Sequence, residues 1–426
     1  MIIATLIISF LVLLVLGVPV ALAMGLTSMM VAFLLDIPLS ILAQRMVAGV
    51  NSFPLLAIPF FILAGEIMNA GGISQKLIRL SDVIVGRFRG GLGMVNVSSS
   101  MLFGGISGSA LADTSSTGSV MIPMMKKKGY DADYSVAVTV TSATQGIVIP
   151  PSHNMIIYAL AAGGGLSISS LFLGGIIPGI ILGLGLMITA YVIAVKRNYP
   201  AEKPSSFKEV LVATKGSIPG LMTGVIIIGG IMSGIFTVTE SAAIAVMYAF
   251  GVSFIFNKDV PISEIIPVLK RTFKTLALVL FLIATSSGFA WLLAVLRVPT
   301  LISENLLSLT SNPILITFIL IFILLLLGSI LDVAPIILIT TPILLPIATS
   351  IGMDPIHYGI VMMICMAIGL VTPPVGGALF IGSAIAKIPM ESAIKALLPF
   401  YLSMVAILIV IAFIPQLTLY IPSLFQ

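Results

Sequence analysis

A chain of 426 residues that is 59% hydrophobic and 8% charged cannot be an ordinary soluble domain, in which roughly a quarter of the residues carry charge. Its mean hydropathy of +1.24 comes from apolar segments long enough to cross a bilayer, and predicts one polytopic membrane domain over residues 1–426. The net charge of +5 and pI near 9.3 arise in short loops, so they report topology in preference to any nucleic-acid partner.

In chain order, the first 35 residues are apolar without a basic leader or a small-residue cleavage site, and read as a retained membrane helix, not a signal peptide. Lys and Arg then cluster at Lys76–Arg89, Lys126–Lys128, Lys196–Lys215 and Lys258–Lys274, with a smaller group at Lys387 and Lys395. Each cluster is expected on the cytoplasmic side. Between Arg89 and Lys126 lie only about 36 residues, whereas two full crossings need roughly 40 plus a turn. The middle of that segment, Gly104-Gly105-Ile106-Ser107-Gly108-Ser109, is too polar to face lipid, so a re-entrant helical hairpin buried in protein is predicted. Residues 134–160 and 169–195 form a pair of crossings joined outside by Gly163-Gly164-Gly165, and residues 217–236 and 240–256 form another. Residues 276–296 cross outward, and no Lys or Arg follows from 298 to 386. Segment 313–350 therefore enters and leaves from the outer side, and 358–385 returns inward. The second hairpin is thus opposite in orientation to the first, which is an inverted-topology repeat.

The repeat is also visible in residue types. Gly108-Ser109, Asp113, Pro123, Gly129, Asp131, Tyr134 and Pro150-Pro151 parallel Gly328-Ser329, Asp332, Pro342, Gly352, Asp354, Tyr358 and Pro373-Pro374. The Asp113–Pro123 spacing equals Asp332–Pro342, and Asp131–Pro150 equals Asp354–Pro373. Tandem prolines remove backbone donors and free carbonyl oxygens near mid-membrane. Such carbonyls suit a hard cation such as sodium, while the N-terminus of the following half-helix attracts an anion. Candidate cation or substrate residues are Ser107, Gly108, Ser109, Asp113, Gln145, Pro150, Ser152 and Asn154 in the first half. In the second they are Gly328, Ser329, Asp332, Gly369, Thr372, Pro373 and Gly376. Each has a structural alternative: a Pro-Pro can be only a kink, and Asp113 or Asp332 can be a helix cap or buried acceptor.

Other polar residues have blander readings. Asp131 and Asp354 are expected to cap the next helix, and Glu66 and Glu240 to be structural or interfacial. His153 is expected to be a hydrogen-bonded core residue, and Arg45 and Arg297 to be headgroup anchors. Lys126-Lys127-Lys128 sets topology, Met362–Met366 packs the core, and the lone Cys365 excludes an internal disulfide.

Set side by side, Ala112-Asp113-Thr114-Ser115-Ser116-Thr117-Gly118-Ser119, Ile149-Pro150-Pro151-Ser152 and Thr372-Pro373-Pro374-Val375-Gly376 resemble the large membrane subunit of the tripartite ATP-independent periplasmic (TRAP) transporters, nearly over the full length. The resemblance implies an all-α, elevator-type transporter of the bacterial cytoplasmic membrane. Its mobile part is expected at about 91–195 and 298–426, with the scaffold at 1–90 and 196–297. It further implies Na+ as coupling ion, no organic cofactor, a separate small four-helix membrane subunit, a periplasmic substrate-binding protein and an organic-anion substrate. The overall look is closest to sialic-acid members. Lipid surrounds the chain, and Leu424-Phe425-Gln426 is expected in the periplasm.

Three other readings compete. A stand-alone sodium-carboxylate symporter or antiporter would share the paired hairpins. A channel would need a continuous polar pore instead of two small clusters. An intramembrane serine protease could use Gly105-Ile106-Ser107-Gly108 with His153 as base, but that leaves the second repeat unexplained, so the chain is not expected to be an enzyme.

Overall fold

The computed structural model describes residues 2–201, 204–256, 260–310 and 312–425; Lys203, Lys258 and Gln426, which the charge and terminus arguments used, lie outside them. Among the described residues the regular structure is helical, apart from one isolated antiparallel bridge between Arg89 and Ala201. Seven helical stretches are long and apolar enough to cross a bilayer.

The single helix expected over the first 35 residues is instead two, α1 (Ile2–Val15) and α2 (Val20–Leu34). Gly17 takes a φ of +79° and Pro19 caps α2, so the chain breaks between them. There follow α3 (Leu39–Val50), α4 (Ala57–Ala70) and α5 (Ile73–Val85). Helix α5 is amphipathic, burying Ile73, Leu77, Ile78 and Leu80 and leaving its Lys76–Arg79 side to the basic surface.

The first hairpin is α6 (Gly91–Ser107) and α7 (Ala110–Lys127). Gly108, at φ +61°, closes the tip, and the Ser109 side chain caps α7 by accepting from Ala112 N at 3.4 Å. Next come α8 (Ala132–Ala143), the single turn α9 (Gln145–Val148), α10 (His153–Ala161) and α11 (Ile168–Lys196), then α12 (Phe207–Met232) and α13 (Val238–Phe250). Helices α12 and α13 each begin with a reciprocal capping box, Ser206 with Glu209 and Thr237 with Glu240. Glu240 thereby has the structural role expected of it.

Helix α14 (Ile265–Val295) begins well before residue 276, where the crossing was expected, so Lys270, Arg271 and Lys274 lie on the helix itself. A separate α15 (Val298–Leu309) was not anticipated. The second hairpin is α16 (Pro313–Gly328) and α17 (Val333–Ser350); after it come α18 (Pro355–Gly369), α19 (Gly377–Ala386), α20 (Met390–Phe413) and α21 (Gln416–Ser423).

The helices correct the register of the repeat. Helices α7 and α17 are both 18 residues long. One constant offset in numbering relates their caps Ser109 and Asp332, their prolines Pro123 and Pro346, and the later pairs Gly129/Gly352, Asp131/Asp354, Gly146/Gly369 and Pro150/Pro373. Asp113 is therefore not the partner of Asp332, nor Pro123 of Pro342. Asp332 is the N-cap of α17, whereas Asp113 lies four residues inside α7, where the second repeat has Ile336. The equal Asp–Pro spacing misleads because α17 carries two prolines in its interior, Pro342 and Pro346.

The core lies around the two helices that lead into the breaks. Every residue from Tyr134 to Ala143 and from Ile356 to Gly369 is buried. Both helices pack against α20, with α11 alongside. A second cluster joins Leu6, Phe10, Met24, Leu42 and Phe289 of α1, α2, α3 and α14.

Candidate functional site

Both breaks exist and are built alike. Helix α9 stops at Val148 and α10 starts at His153; α18 stops at Gly369 and α19 starts at Gly377. Within each break the Pro-Pro bond is cis, Pro150-Pro151 and Pro373-Pro374. The hairpins meet them backbone to backbone. A Cβ on Gly104 would lie 2.8 Å from Gly146 Cα, and one on Gly108 2.8 Å from the Pro151 carbonyl oxygen. In the second repeat a Cβ on Gly369 would lie 2.6 Å from Gly328 Cα. Val375 N donates to the Ser329 carbonyl at 3.3 Å. By contact, the counterpart of Gly328 is therefore Gly104, not Gly108; the first tip is one residue longer than the second and closes through the Ser107-Gly108-Ser109 turn.

The expected residues divide into two environments. The first break is enclosed: Gln145, Pro150 and Ser152 are buried, as are Asp113 and Asn154. Asp113 Oδ1 accepts from the Thr117 hydroxyl at 2.6 Å, while its Oδ2 is buried without a partner. Gln145 donates to the Ser142 carbonyl at 3.0 Å, and its Oε1 is unpartnered, as is Ser152 Oγ. Buried polar atoms almost always find partners; these three oxygens of the first repeat have none among the described residues, as is also true of others such as Thr27 and Tyr358. The second break is more open. Pro374 and Val375 are exposed, Ser329 Oγ donates to Leu326 O at 2.8 Å, and Thr372 Oγ1 donates to Ile368 O at 2.7 Å.

Between the hairpins and the helices α4 and α14 lies a cavity of about 440 Å³, within the usual size range for small-molecule sites. Its polar lining is Glu66, Asn69, Ser107, Ser109, His153, Asn154, Thr275 and Asp332. Four expected residues, Ser107, Ser109, Asn154 and Asp332, thus share one space. Gly108, Asp113, Gln145, Pro150 and Ser152 stand outside its lining in the first half. Gly328, Ser329, Gly369, Thr372, Pro373 and Gly376 do so in the second. No Lys or Arg is in the lining; Arg271 approaches only by pairing with Glu66 at 3.0 Å. Asp332 accepts from its own helix at Val333 N, 2.8 Å away, and keeps its exposed side toward the cavity.

Residues 7–417 match the family described as "Tripartite ATP-independent periplasmic transporter, DctM component". The chain belongs to this TRAP transporter family. It is 42% identical over 420 residues, 98% of this chain and 96% of the relative, to the "Uncharacterized protein YgiK" of Salmonella typhimurium. It is 38% identical over 402 residues, 94% of each chain, to the "2,3-diketo-L-gulonate TRAP transporter large permease protein YiaN" of Escherichia coli. Among solved structures, the Alcanivorax borkumensis YdaH transporter shares the fold, with a TM-score of 0.59 and 15% identity over 88% of each chain. TRAP permeases are membrane transporters rather than enzymes. Of the would-be protease pair, His153 sits beside the Gly108 backbone, and Ser107 Oγ accepts from Ser109 N at 3.4 Å.

Several structural partners in this TRAP subunit differ from expectation or went unforeseen. Asp354 caps α18 through Ile356 N at 2.7 Å as expected. Asp131 does not cap α8; it binds Arg197 at 2.9 Å and accepts from the Tyr199 hydroxyl at 2.6 Å. Arg45 lies over the Trp291 ring, 5.4 Å from its centroid. Asn69 and Thr275 carry no motif and were not foreseen as cavity residues. Asn69 shares α4 with Glu66, and Thr275 adjoins the polar stretch Lys270–Lys274 of α14, so neither stands out in the sequence.

Proposed function

We propose that this TRAP subunit imports an organic acid together with sodium, receiving it from a periplasmic binding protein and working beside a separate small membrane subunit. Residues about 91–195 and 298–426 would slide as one body against 1–90 and 196–297. The observation that carries this reading is the enclosed first break, where Ser152 Oγ, Gln145 Oε1 and Asp113 Oδ2 are buried without partners. Oxygen donors of this kind suit a hard cation. The cavity beside them lacks Lys and Arg, so a bound carboxylate is met by hydroxyls and by the N-termini of α7 and α10. Sialic acid, and a keto-sugar acid of the kind named for the Escherichia coli relative, are both candidate substrates.

The test is the thermal stability of the purified chain in sodium and in choline at equal ionic strength. A ligand that binds only the folded state raises apparent stability by mass action. The expected result is a rise specific to sodium and weakened by Ser152→Ala. Equal stability in both salts would refute preformed sodium sites. The same reading puts the C-terminus in the periplasm as a proposal, so a C-terminal reporter that fluoresces only in the cytoplasm should stay dark.

A further inference from the structure

The two breaks are alike in backbone but supported by different means. Against the first, α11 presents glycines. A Cβ on Gly175 would fall 2.4 Å from the Val148 carbonyl oxygen, and one on Gly179 2.5 Å from Ile149 Cγ1. The α11 backbone thus packs directly on the break, and the segment is enclosed without help from a side chain. The counterpart of α11 in the second repeat is α20, which contains no glycine and cannot approach as closely. At the position matching Pro178 of α11 it carries Tyr401 instead, whose hydroxyl donates to the Val371 carbonyl at the start of the break.

The other groups around that carbonyl are already engaged. Leu370 O accepts from Ala378 N at 3.3 Å, Gly369 O accepts from Thr372 N at 2.9 Å, and the Thr372 hydroxyl donates to Ile368 O. Among the described residues, the Tyr401 phenol is the donor that reaches Val371 O. Beyond it the chain runs through exposed Pro374 and Val375 to Gly376, the N-cap of α19, which takes a left-handed φ of +46°. An exposed, proline-rich segment that meets backbone only on its hairpin side needs a further restraint to keep one conformation.

We propose that Tyr401 is a positioning residue of the second break: its hydroxyl holds the Val371 carbonyl and so fixes Thr372–Gly376 in the geometry that binds the coupling cation. The inference rests on the sodium-coupled reading above for its transport consequence, but not for the restraint itself. It makes the two halves chemically unequal: both breaks meet a hairpin backbone to backbone, but α11 backs the first with glycines, whereas α20 backs the second through the Tyr401 hydroxyl.

Tyr401→Phe keeps the ring and its packing and removes only the hydroxyl, so the variant should fold. Two readouts separate the proposal from the reading beneath it. Backbone hydrogen exchange on the purified chain should quicken in peptides covering 368–379 and stay unchanged over 145–156. In the full transporter with its partner subunits, the sodium concentration that half-saturates uptake should rise about three- to tenfold, the loss expected for one hydrogen bond, at near-unchanged maximal rate. Unchanged exchange over 368–379 overturns the proposal outright. Faster exchange with unaltered sodium half-saturation reduces Tyr401 to a structural brace and overturns its role in binding. Uptake by the unmodified transporter that ignores sodium refutes the sodium reading, and exchange still decides whether Tyr401 holds the break.

Discussion

Gly328 and Gly369 cross with no side chain between them, so that a Cβ on Gly369 would fall 2.6 Å from Gly328 Cα. Gly104 and Gly146 make the same crossing in the first repeat. Each crossing fixes the distance between a hairpin and the broken helix behind it. The tips are thus held at their breaks by backbone contact, and hairpin and break form one unit rather than two that meet by chance.

Gly369→Ala should therefore be among the more damaging single-methyl changes in the chain. The new carbon meets backbone, which cannot rotate away, and overpacking of this kind costs about 1–3 kcal/mol. The expected outcome is a lower melting temperature and severely reduced uptake. Gly229→Ala is the control: it lies within α12, and a Cβ there meets nothing within 4 Å. It should leave both properties intact, or raise stability slightly through helix propensity. Equal behaviour of the two variants would show that the crossing is not tight.

Asp113 is a fully buried carboxyl in one repeat where the other has Ile336, with one oxygen bonded to Thr117 and the other short of a full hydrogen bond, the Ser100 hydroxyl lying nearby. A group that served the fold alone would not be left half satisfied within the bilayer. Asp113→Asn keeps the shape and the acceptor for Thr117 while removing the charge. Melting should be unchanged or higher, because burying an ionised group is costly, whereas uptake should fall at least about tenfold, a loss of ~1.4 kcal/mol in transport-relevant binding. Normal uptake by the variant would make Asp113 a structural acceptor only.

The architecture was legible in the sequence because polar interruptions stand out in an apolar chain. Gly104–Ser109, Pro150-Pro151 and Pro373-Pro374 break long hydrophobic runs, and the basic clusters orient what lies between them. The register of the repeat was not legible to the same degree. Pro342 and Pro346 are both compatible with a membrane helix, and the equal Asp–Pro spacing favours the wrong one, whereas the caps Ser109 and Asp332 agree with the glycine and proline pairs that follow in matching Pro346 to Pro123. Cavity residues such as Asn69 and Thr275 were invisible because their role depends on which helix faces the hairpins, a property of packing and not of local pattern. Tyr401 was hidden for the same reason: nothing along α20 says that its hydroxyl meets a carbonyl thirty residues earlier in the chain. Asp131 misled because the turn Gly129-x-Asp131 has the form of a cap, while Arg197 and Tyr199, far along the chain, compete for its oxygens and win.

That competition gives the last prediction. Arg197 lies within 2.9 Å of Asp131 and 3.1 Å of Asp133, tying the start of α8 to the end of α11. First the Tyr199 hydroxyl, and then the Arg197 guanidinium, hold the Asp131 carboxyl below its ordinary range. A carboxyl whose folded pKa is depressed adds stability above its unfolded value, and that stability is lost as pH falls through the folded value. The unfolded value is about 3.9. The gap in melting temperature between the unmodified chain and Tyr199→Phe should therefore be constant from about pH 7 to 5 and shrink only below about 4. Because the Asp131 side chain is 57% exposed, solvent screens the pair. Arg197→Met should cost only about 0.2–1 kcal/mol at neutral pH, less again at high salt. A gap that already narrows between pH 7 and 5 would mean that another group carries the effect.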